Sequence, residues 1–352
     1  MTHPAHPDRA PLTFPFPDVP PFGVPVEIAE GILWVRFPLP FQLDHVNVYF
    51  IRDGDGWAIV DTGINTKESL AAWETVLRDV LQGAPITRVI ATHVHPDHIG
   101  LAGWLCERFD APLLTSLSSY AESRLISLAP NETGSRQFFD FYVSHGMSAE
   151  GAGIVAIRGN DYLRLVHPLP RSFHRLVRAD VLVIGTREFR VLTGEGHAAE
   201  QVMLYCHEEG LLFAADQVLE RISPNVSVSA TDPNGDPLGH FLRSLRQLRQ
   251  DIPAEVLVLP GHRRPFRGLH TRAVELEDHH EHRCDLIREA CAQDPKTVAD
   301  LVPVLFTRQL DAHQMSFAFT ETLAHVNRLV RRSELEPVRR DGRLAHRTVL
   351  RA

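Results

Sequence analysis

The sequence predicts an α/β sandwich carrying a helical tail. Short apolar runs bounded by turn residues alternate with helical periodicities, and several of the apolar runs end at a His or an Asp beside a glycine. Residues 1–26 hold eight prolines, which exclude regular helix and central strand, so this stretch is expected to drape over the domain as an extended arm. Ile32–Val35, Asn47–Ile51 and Trp57–Val60 read as strands, with Asp53-Gly54-Asp55-Gly56 as a hairpin turn. Lys67–Leu81 reads as a helix whose apolar face is Leu70, Trp73, Val76, Leu77, Val80 and Leu81. Val89-Ile90-Ala91, Val191-Leu192, Leu211–Phe213 and Val256–Val258 read as further buried strands.

From Gly268 the pattern turns helical. A long amphipathic helix covers Leu269–Cys291, a short one Thr297–Phe306, and another Phe317–Leu329. Leu335–Val338, a turn at Asp341-Gly342 and Thr348–Leu350 then read as a β-wing, so residues 268–352 form a small winged-helix-like domain. His279, His280 and His282 on the long helix invite a metal, but no carboxylate-histidine pairing elsewhere completes such a site.

The chemistry concentrates in Thr92-His93-Val94-His95-Pro96-Asp97-His98-Ile99-Gly100. Three imidazoles and a carboxylate leaving a buried strand are costly to bury unless a cation holds them. His93 and His95 could face one side while Asp97 and His98 turn to another, enough for two ions. Gly196-His197, Asp216 after Ala214-Ala215, and Gly261-His262 each place one more ligand-type residue at a strand end, and Asp61-Thr62-Gly63 does the same upstream.

In this order the motifs resemble the metallo-β-lactamase superfamily: Asp-Thr-Gly, His-X-His-X-Asp-His, Gly-His, Asp and a last Gly-His, spanning roughly Glu27 to Pro265. The resemblance implies a four-layer αββα sandwich over residues 27–267. It assigns His93, His95 and His197 to one metal, Asp97, His98 and His262 to a second, and Asp216 to both. Asp61 would steer a ligand imidazole, or serve only as a turn residue before Gly63. Mixed imidazole and carboxylate donors without cysteine suit two zinc ions, with iron or manganese as alternatives. Such a pair can hold a hydroxide as nucleophile, with Asp97 as its catalytic partner. The spacing between His95 and His197 exceeds that of compact relatives, which places a helical insertion at 117–177. Its aromatic face (Phe138, Phe141, Tyr142) would pack as core, act as a lid that chooses substrate, or both.

Composition sets the remaining bounds. A net charge of −8 argues against bulk nucleic-acid affinity, and four scattered cysteines (Cys106, Cys206, Cys284, Cys291) suit a reducing, cytoplasmic compartment. No signal peptide or membrane-spanning run is evident, and a homodimer is compatible with the tail. Arg221, Ser223 and Asn225 follow Asp216 and are candidate substrate contacts; Arg263 and Arg264 behind His262 could meet an anionic substrate or pair with surface acids. Arg328, Arg331, Arg332, Arg339, Arg340, Arg343, Arg347 and Arg351 crowd the tail and keep nucleic acid open as a partner, although a winged helix is also a common packing module. Hydrolysis of a small ester, thioester or lactone is the expected activity, as in glyoxalase II and the lactonases, with phosphodiester cleavage second. β-Lactam hydrolysis fits less well because those enzymes usually lack the bridging carboxylate, and flavodiiron chemistry because His95 stands where that type normally carries Glu.

Overall fold

A computed structural model describes residues 11–129, 136–158 and 161–349. Over its described part the proline-rich arm is extended, stitched by isolated bridges from Thr13 to Arg267 and from Phe22 to Arg36. Two β-sheets follow. The first opens with β1 (Val26–Ala29), β2 (Ile32–Pro38), β3 (His45–Asp53) and β4 (Gly56–Val60), antiparallel in succession. Helix α1 (Lys67–Val76) starts at Thr66, whose hydroxyl accepts from the Ser69 amide, and its last turn widens into a π-turn over Leu77–Leu81. The expected helix therefore has the right extent and a looser end.

Strand β5 (Ile86–Ile90) lies parallel to β4 and leads through α2 (Pro96–Ile99) and α3 (Ala102–Phe109) to β6 (Leu113–Thr115). The expected insertion contains α4 (Leu117–Leu128), α5 (Arg136–Ser144), α6 (Ala149–Arg158) and α7 (Asp161–Leu165). It returns as β7 (His174–Arg175), which closes a seven-stranded sheet in simple chain order.

The second sheet comprises β8 (Val181–Ile184), β9 (Arg187–Gly194), β10 (Gln201–Cys206) and β11 (Leu211–Ala215), then, after α8 (Pro237–Asp251), β12 (Leu257–Pro260) and β13 (Phe266–Arg267). Three apolar clusters define the layers. Trp34, Tyr49 and Ile90 meet Phe189, Val202 and Phe213 between the sheets. Phe37, Phe50 and Val89 meet Trp73 of α1 and Leu105 of α3 on one outer face. Leu192, Met203 and Val258 meet Leu238 and Phe241 of α8 on the other. Successive residues of one strand serve different layers, as Trp34 and Val35 do, because strand side chains point to opposite faces in turn. Each large side chain so buried contributes roughly 1.5–3 kcal/mol. The result is a helix–sheet–sheet–helix sandwich.

The chain ends in α9 (Leu269–Gln293), β14 (Lys296–Thr297), α10 (Val298–Leu305), α11 (Ala312–Arg331), β15 (Leu335–Arg340) and β16 (Arg343–Thr348). Helix α11 starts five residues before its apolar pattern because Asp311 and Gln314 form a reciprocal capping box. The returning strand already starts at Arg343 and runs to Thr348, since Arg340 pairs with Arg343 across a two-residue turn; the expected Leu350 lies outside the described residues. The helices do not stand apart from the sandwich: Cys284, Ile287, Leu301, Phe319 and Leu323 belong to the same apolar cluster as Phe241 and Val258. No helix among the described residues is long and apolar enough to cross a membrane.

Candidate metal centre

The two sheets meet at a shared edge, and side chains fasten them there. Tyr49 Oη and Asn47 Nδ2 on β3 both donate to the Pro260 carbonyl at the end of β12, each at 2.8 Å. At this edge β5 releases the chain into residues 91–95, and Pro96 then starts the short α2. Asp61, at the end of β4, fixes this loop: its carboxylate accepts from the Thr92 amide at 2.8 Å and the Thr92 hydroxyl at 2.9 Å. Asp61 itself sits at φ 62, a left-handed conformation that a non-glycine residue holds only when its surroundings enforce it.

The imidazoles are oriented by their Nδ1 atoms. His98 Nδ1 lies 2.7 Å from Asp61 Oδ2, His93 Nδ1 2.9 Å from the Thr92 hydroxyl, His197 Nδ1 2.8 Å from the Asn225 carbonyl, and His262 Nδ1 2.8 Å from the His45 carbonyl. A carbonyl or carboxylate can only accept, and the Thr92 hydroxyl already donates to Asp61. Each Nδ1 is therefore the donor, and each Nε2 is turned to the cluster, open to a proton or a cation. His95 is the exception, presenting Nδ1 to His93 Nε2 at 3.0 Å.

The free nitrogens converge on two carboxylates. Asp216 Oδ1 is 3.5 Å from His98 Nε2, and its Oδ2 is 3.4 Å from His197 Nε2 and 3.2 Å from His262 Nε2. Asp97 Oδ2 is 3.4 Å from His262 Nε2 and 3.7 Å from His98 Nε2. Three overlapping donor groups result: His93 with His95 and His197; His93 with His98 and Asp216; Asp97 with His98 and His262. Within each, the donor atoms lie within 4.8 Å of one another. His98 Nε2, His197 Nε2 and Asp216 Oδ1 are buried without a hydrogen-bond partner. Buried polar atoms left this way cost free energy, and a cation between them answers that cost. The seven residues therefore fit a metal site.

Electrostatics point the same way. Burial and neighbouring imidazoles hold His93 well below the usual histidine value, and push His95 down to about 3. Burial also lowers His197. Those rings are neutral donors. Burial opposes charge on His98 and His262 as well, but the carboxylates outweigh it and raise both, His98 strongly. Asp216 is driven well below the usual carboxylate range, its burial overcome by His262 and His98. The carboxylates thus draw positive charge into the cluster, and protons and metal compete for the same lone pairs.

Glycine permits the close approach. A Cβ on Gly261 would stand 2.3 Å from Asp216 Oδ1 and 2.7 Å from His98 Cε1. Gly196 adopts φ +99, and a Cβ there would meet Phe241 Cβ at 2.4 Å. The Gly-His pairs are therefore a packing requirement of the site.

The expected substrate contacts fare differently from one another. Arg221 is exposed and lies near Glu220. Arg263 is exposed, at φ 68, with its amide donating to His45 Nε2. Arg264 is held by Glu220 through its backbone and guanidinium and stacks over Phe14 at 4.1 Å. Asn225 acts through its carbonyl on His197, while its side chain is tied to Glu321 and Ser227. Tyr142 is buried against Phe141 and Phe319 and lines a cleft of about 1150 Å³. That cleft lies between the 40–43 loop, α7 and α11. Each wall touches the centre's support: the loop runs into His45, Tyr162 of α7 donates to the Val94 carbonyl at 2.9 Å, and Glu321 of α11 reaches Asn225. The roles of His45, Tyr162 and Glu321 carry no sequence signal, because two of them act on or through a backbone carbonyl and the third lies far along the chain.

A sandwich with clustered His and Asp donors on the shared edge of its sheets suits a metal-dependent hydrolase. The sequence profile of the metallo-beta-lactamase superfamily matches residues 42–262, and that of the metallo-beta-lactamase-like C-terminal domain matches 284–348. The chain belongs to the metallo-beta-lactamase superfamily and is a metal-dependent hydrolase of it. It is similar to the "probable metallo-hydrolase YqjP" of Bacillus subtilis strain 168, 25% identical over 302 residues that cover 85% of this chain and 92% of that one. A beta-lactamase domain protein from Burkholderia ambifaria superposes with a TM-score of 0.87 at 39% identity, covering 96% of this chain and 97% of that one. A metallo-beta-lactamase family protein from Thermus thermophilus gives 0.77 at 28% identity, covering 92% of this chain and 100% of that one.

Proposed function

We propose that this hydrolase works with two divalent ions, zinc first, on an ester, thioester or lactone of a small molecule. The observation that carries the two-ion reading is Asp216, whose carboxylate oxygens reach imidazoles of both donor sets, His197 on one side and His98 and His262 on the other. His93, His95 and His197 would hold one ion, Asp97, His98 and His262 the other, and Asp216 both. Bound there, two such ions acidify water toward neutrality and polarise the bond to be cleaved.

The chain's own residues do the rest. Asp97 is the more open of the two carboxylates, 21% exposed against 7% for Asp216, which supports giving it the role of taking a proton from attacking water. Tyr142, Leu165, Phe306 and Phe317 give the cleft apolar surface on which an acyl body would rest. Arg263, exposed beside His262, favours an anionic group on the substrate.

Phosphodiester cleavage is the second reading, supported by a C-terminal unit that runs helices and then a hairpin, an order compatible with the expected winged helix. Four of the eight tail arginines weigh against it: Arg328 holds Asp236, Arg332 holds Glu281, Arg340 holds Asp294 and Arg347 holds Glu336, while Arg351 lies outside the described residues. Cations so neutralised offer little to a phosphate backbone. Zinc-loaded protein assayed on esters, thioesters and lactones, and in parallel on phosphodiesters and short RNA, with Asp97→Ala as blank, tests the choice. Turnover confined to acyl substrates is expected; turnover confined to phosphodiesters overturns it.

A further inference from the structure

The loop after Asp216 connects one shared ligand to the support of another. It begins at Asp216, and at Asn225 its carbonyl receives the Nδ1 proton of His197. Its polar handles are held largely by the C-terminal helices. Arg272 of α9, buried, donates to the Leu219 carbonyl at 2.6 Å and the Ile222 carbonyl at 3.1 Å. His280 of α9 lies 3.1 Å from the Ser223 hydroxyl and 3.1 Å from His325 of α11. Asn225 Nδ2 donates to Glu321 Oε2 on α11 at 3.2 Å, while Arg283 of α9 clasps the other oxygen of Glu321. The Val228 amide donates to the Thr320 carbonyl at 3.2 Å, and the Ser227 hydroxyl, which donates to Asn225 Oδ1, also meets Thr320 Oγ1 at 2.8 Å.

Glu321 is buried, which a carboxylate tolerates only with partners, and its partners are Arg283 and this one asparagine. The asparagine's backbone, in turn, determines where the His197 ring can point. We propose that Glu321 is a positioning residue of the metal centre: through Asn225 it sets the His197 ring, so the C-terminal helices complete the hydrolytic site. This rests on the metal reading given above and adds a long-range component to it. An acceptor that orients a ligand imidazole typically contributes 10–100-fold in metal affinity, and Glu321 acts one contact further out, on the side chain of the residue whose carbonyl is that acceptor.

Cobalt(II) titration of the wild type, Glu321→Gln, Asn225→Ala and the double variant tests this, read by competition with a chromophoric chelator and by the visible spectrum of the bound ion. Each single variant should weaken one binding event about 10-fold and leave the other unchanged. The cobalt band of that event should shift. The double variant should be no worse than the weaker single one, since both changes cut the same chain of contacts. Affinities and spectra equal to the wild type overturn the inference. So does a parallel weakening of every binding event with a lowered Tm, which marks a folding role. A wild-type chain that takes up no cobalt sinks the metal reading itself, whereas wild-type uptake with unchanged variants sinks only the role of Glu321.

Discussion

The two sheets supply the candidate metal centre in opposite ways. The first delivers His93, His95, Asp97 and His98 in one continuous stretch and steadies it locally: Thr92 precedes the stretch, and Asp61 stands at the end of the adjacent strand. The second delivers His197, Asp216 and His262 singly, from the ends of three strands. Its supports come from elsewhere, His45 of the first sheet for His262 and a loop tied to α11 for His197. The contiguous half is held mainly by its own sheet, with Tyr162 of α7 adding one distant contact at the Val94 carbonyl. The dispersed half depends on the assembled tertiary structure.

Gly261→Ala strikes where the halves touch, since the new Cβ would press on both Asp216 and His98. Turnover should fall about 100-fold, in line with the cost of an ångström of misplacement, while circular dichroism shows the fold retained. Retention of both full activity and metal content would mean that the two halves are not in the close contact described. Asp61→Asn tests the contiguous half alone. It should weaken metal binding about 10–100-fold and leave a buried donor poorly satisfied at about 1–3 kcal/mol, measurable by urea unfolding.

The pH dependence of the metal-free protein separates the halves further. His325, beneath the dispersed half, is pushed down to about 3 by burial and by Arg283. Between that value and the usual histidine range the unfolded chain binds the proton and the folded chain does not. Stability from His325 is therefore present at neutral pH and lost as pH falls through that window. His98 has the opposite sign. Its raised value gives stability that is full below the unfolded histidine range and fades as pH rises through the folded one. Urea midpoints at several pH values should show the acid-side loss reduced in His325→Gln; an unchanged slope would discount it. The smallest effect expected is from Arg263→Ala, a severalfold rise in KM for an anionic substrate with a neutral one spared.

What can be read from the sequence follows the same division. The contiguous ligands are legible because six residues carry the whole pattern, and the strand-end Gly-His pairs because glycine is forced by close packing. Asp61 is legible as a candidate support in its Asp-Thr-Gly run, whereas the supports of the dispersed half are not, since the Asn225 and His45 carbonyls look like any others along a chain. Arg264 shows the limit of reading charge locally: it stands beside a ligand, yet Glu220 from a distant loop claims it. The start of α11 escapes the periodicity because the apolar pattern begins only after its capped first turn. The π-turn closing α1 keeps the apolar spacing of an ordinary helix, so periodicity does not reveal it either.

The central claim is that one carboxylate, Asp216, joins the two halves into a single two-ion centre. Metal analysis of the wild type and Asp216→Asn, after loading with zinc and removal of the excess, tests it most directly. The account predicts about two ions per wild-type chain and about one in the variant, since losing the shared charge should release the weaker ion. Equal metal content in the two proteins would contradict it.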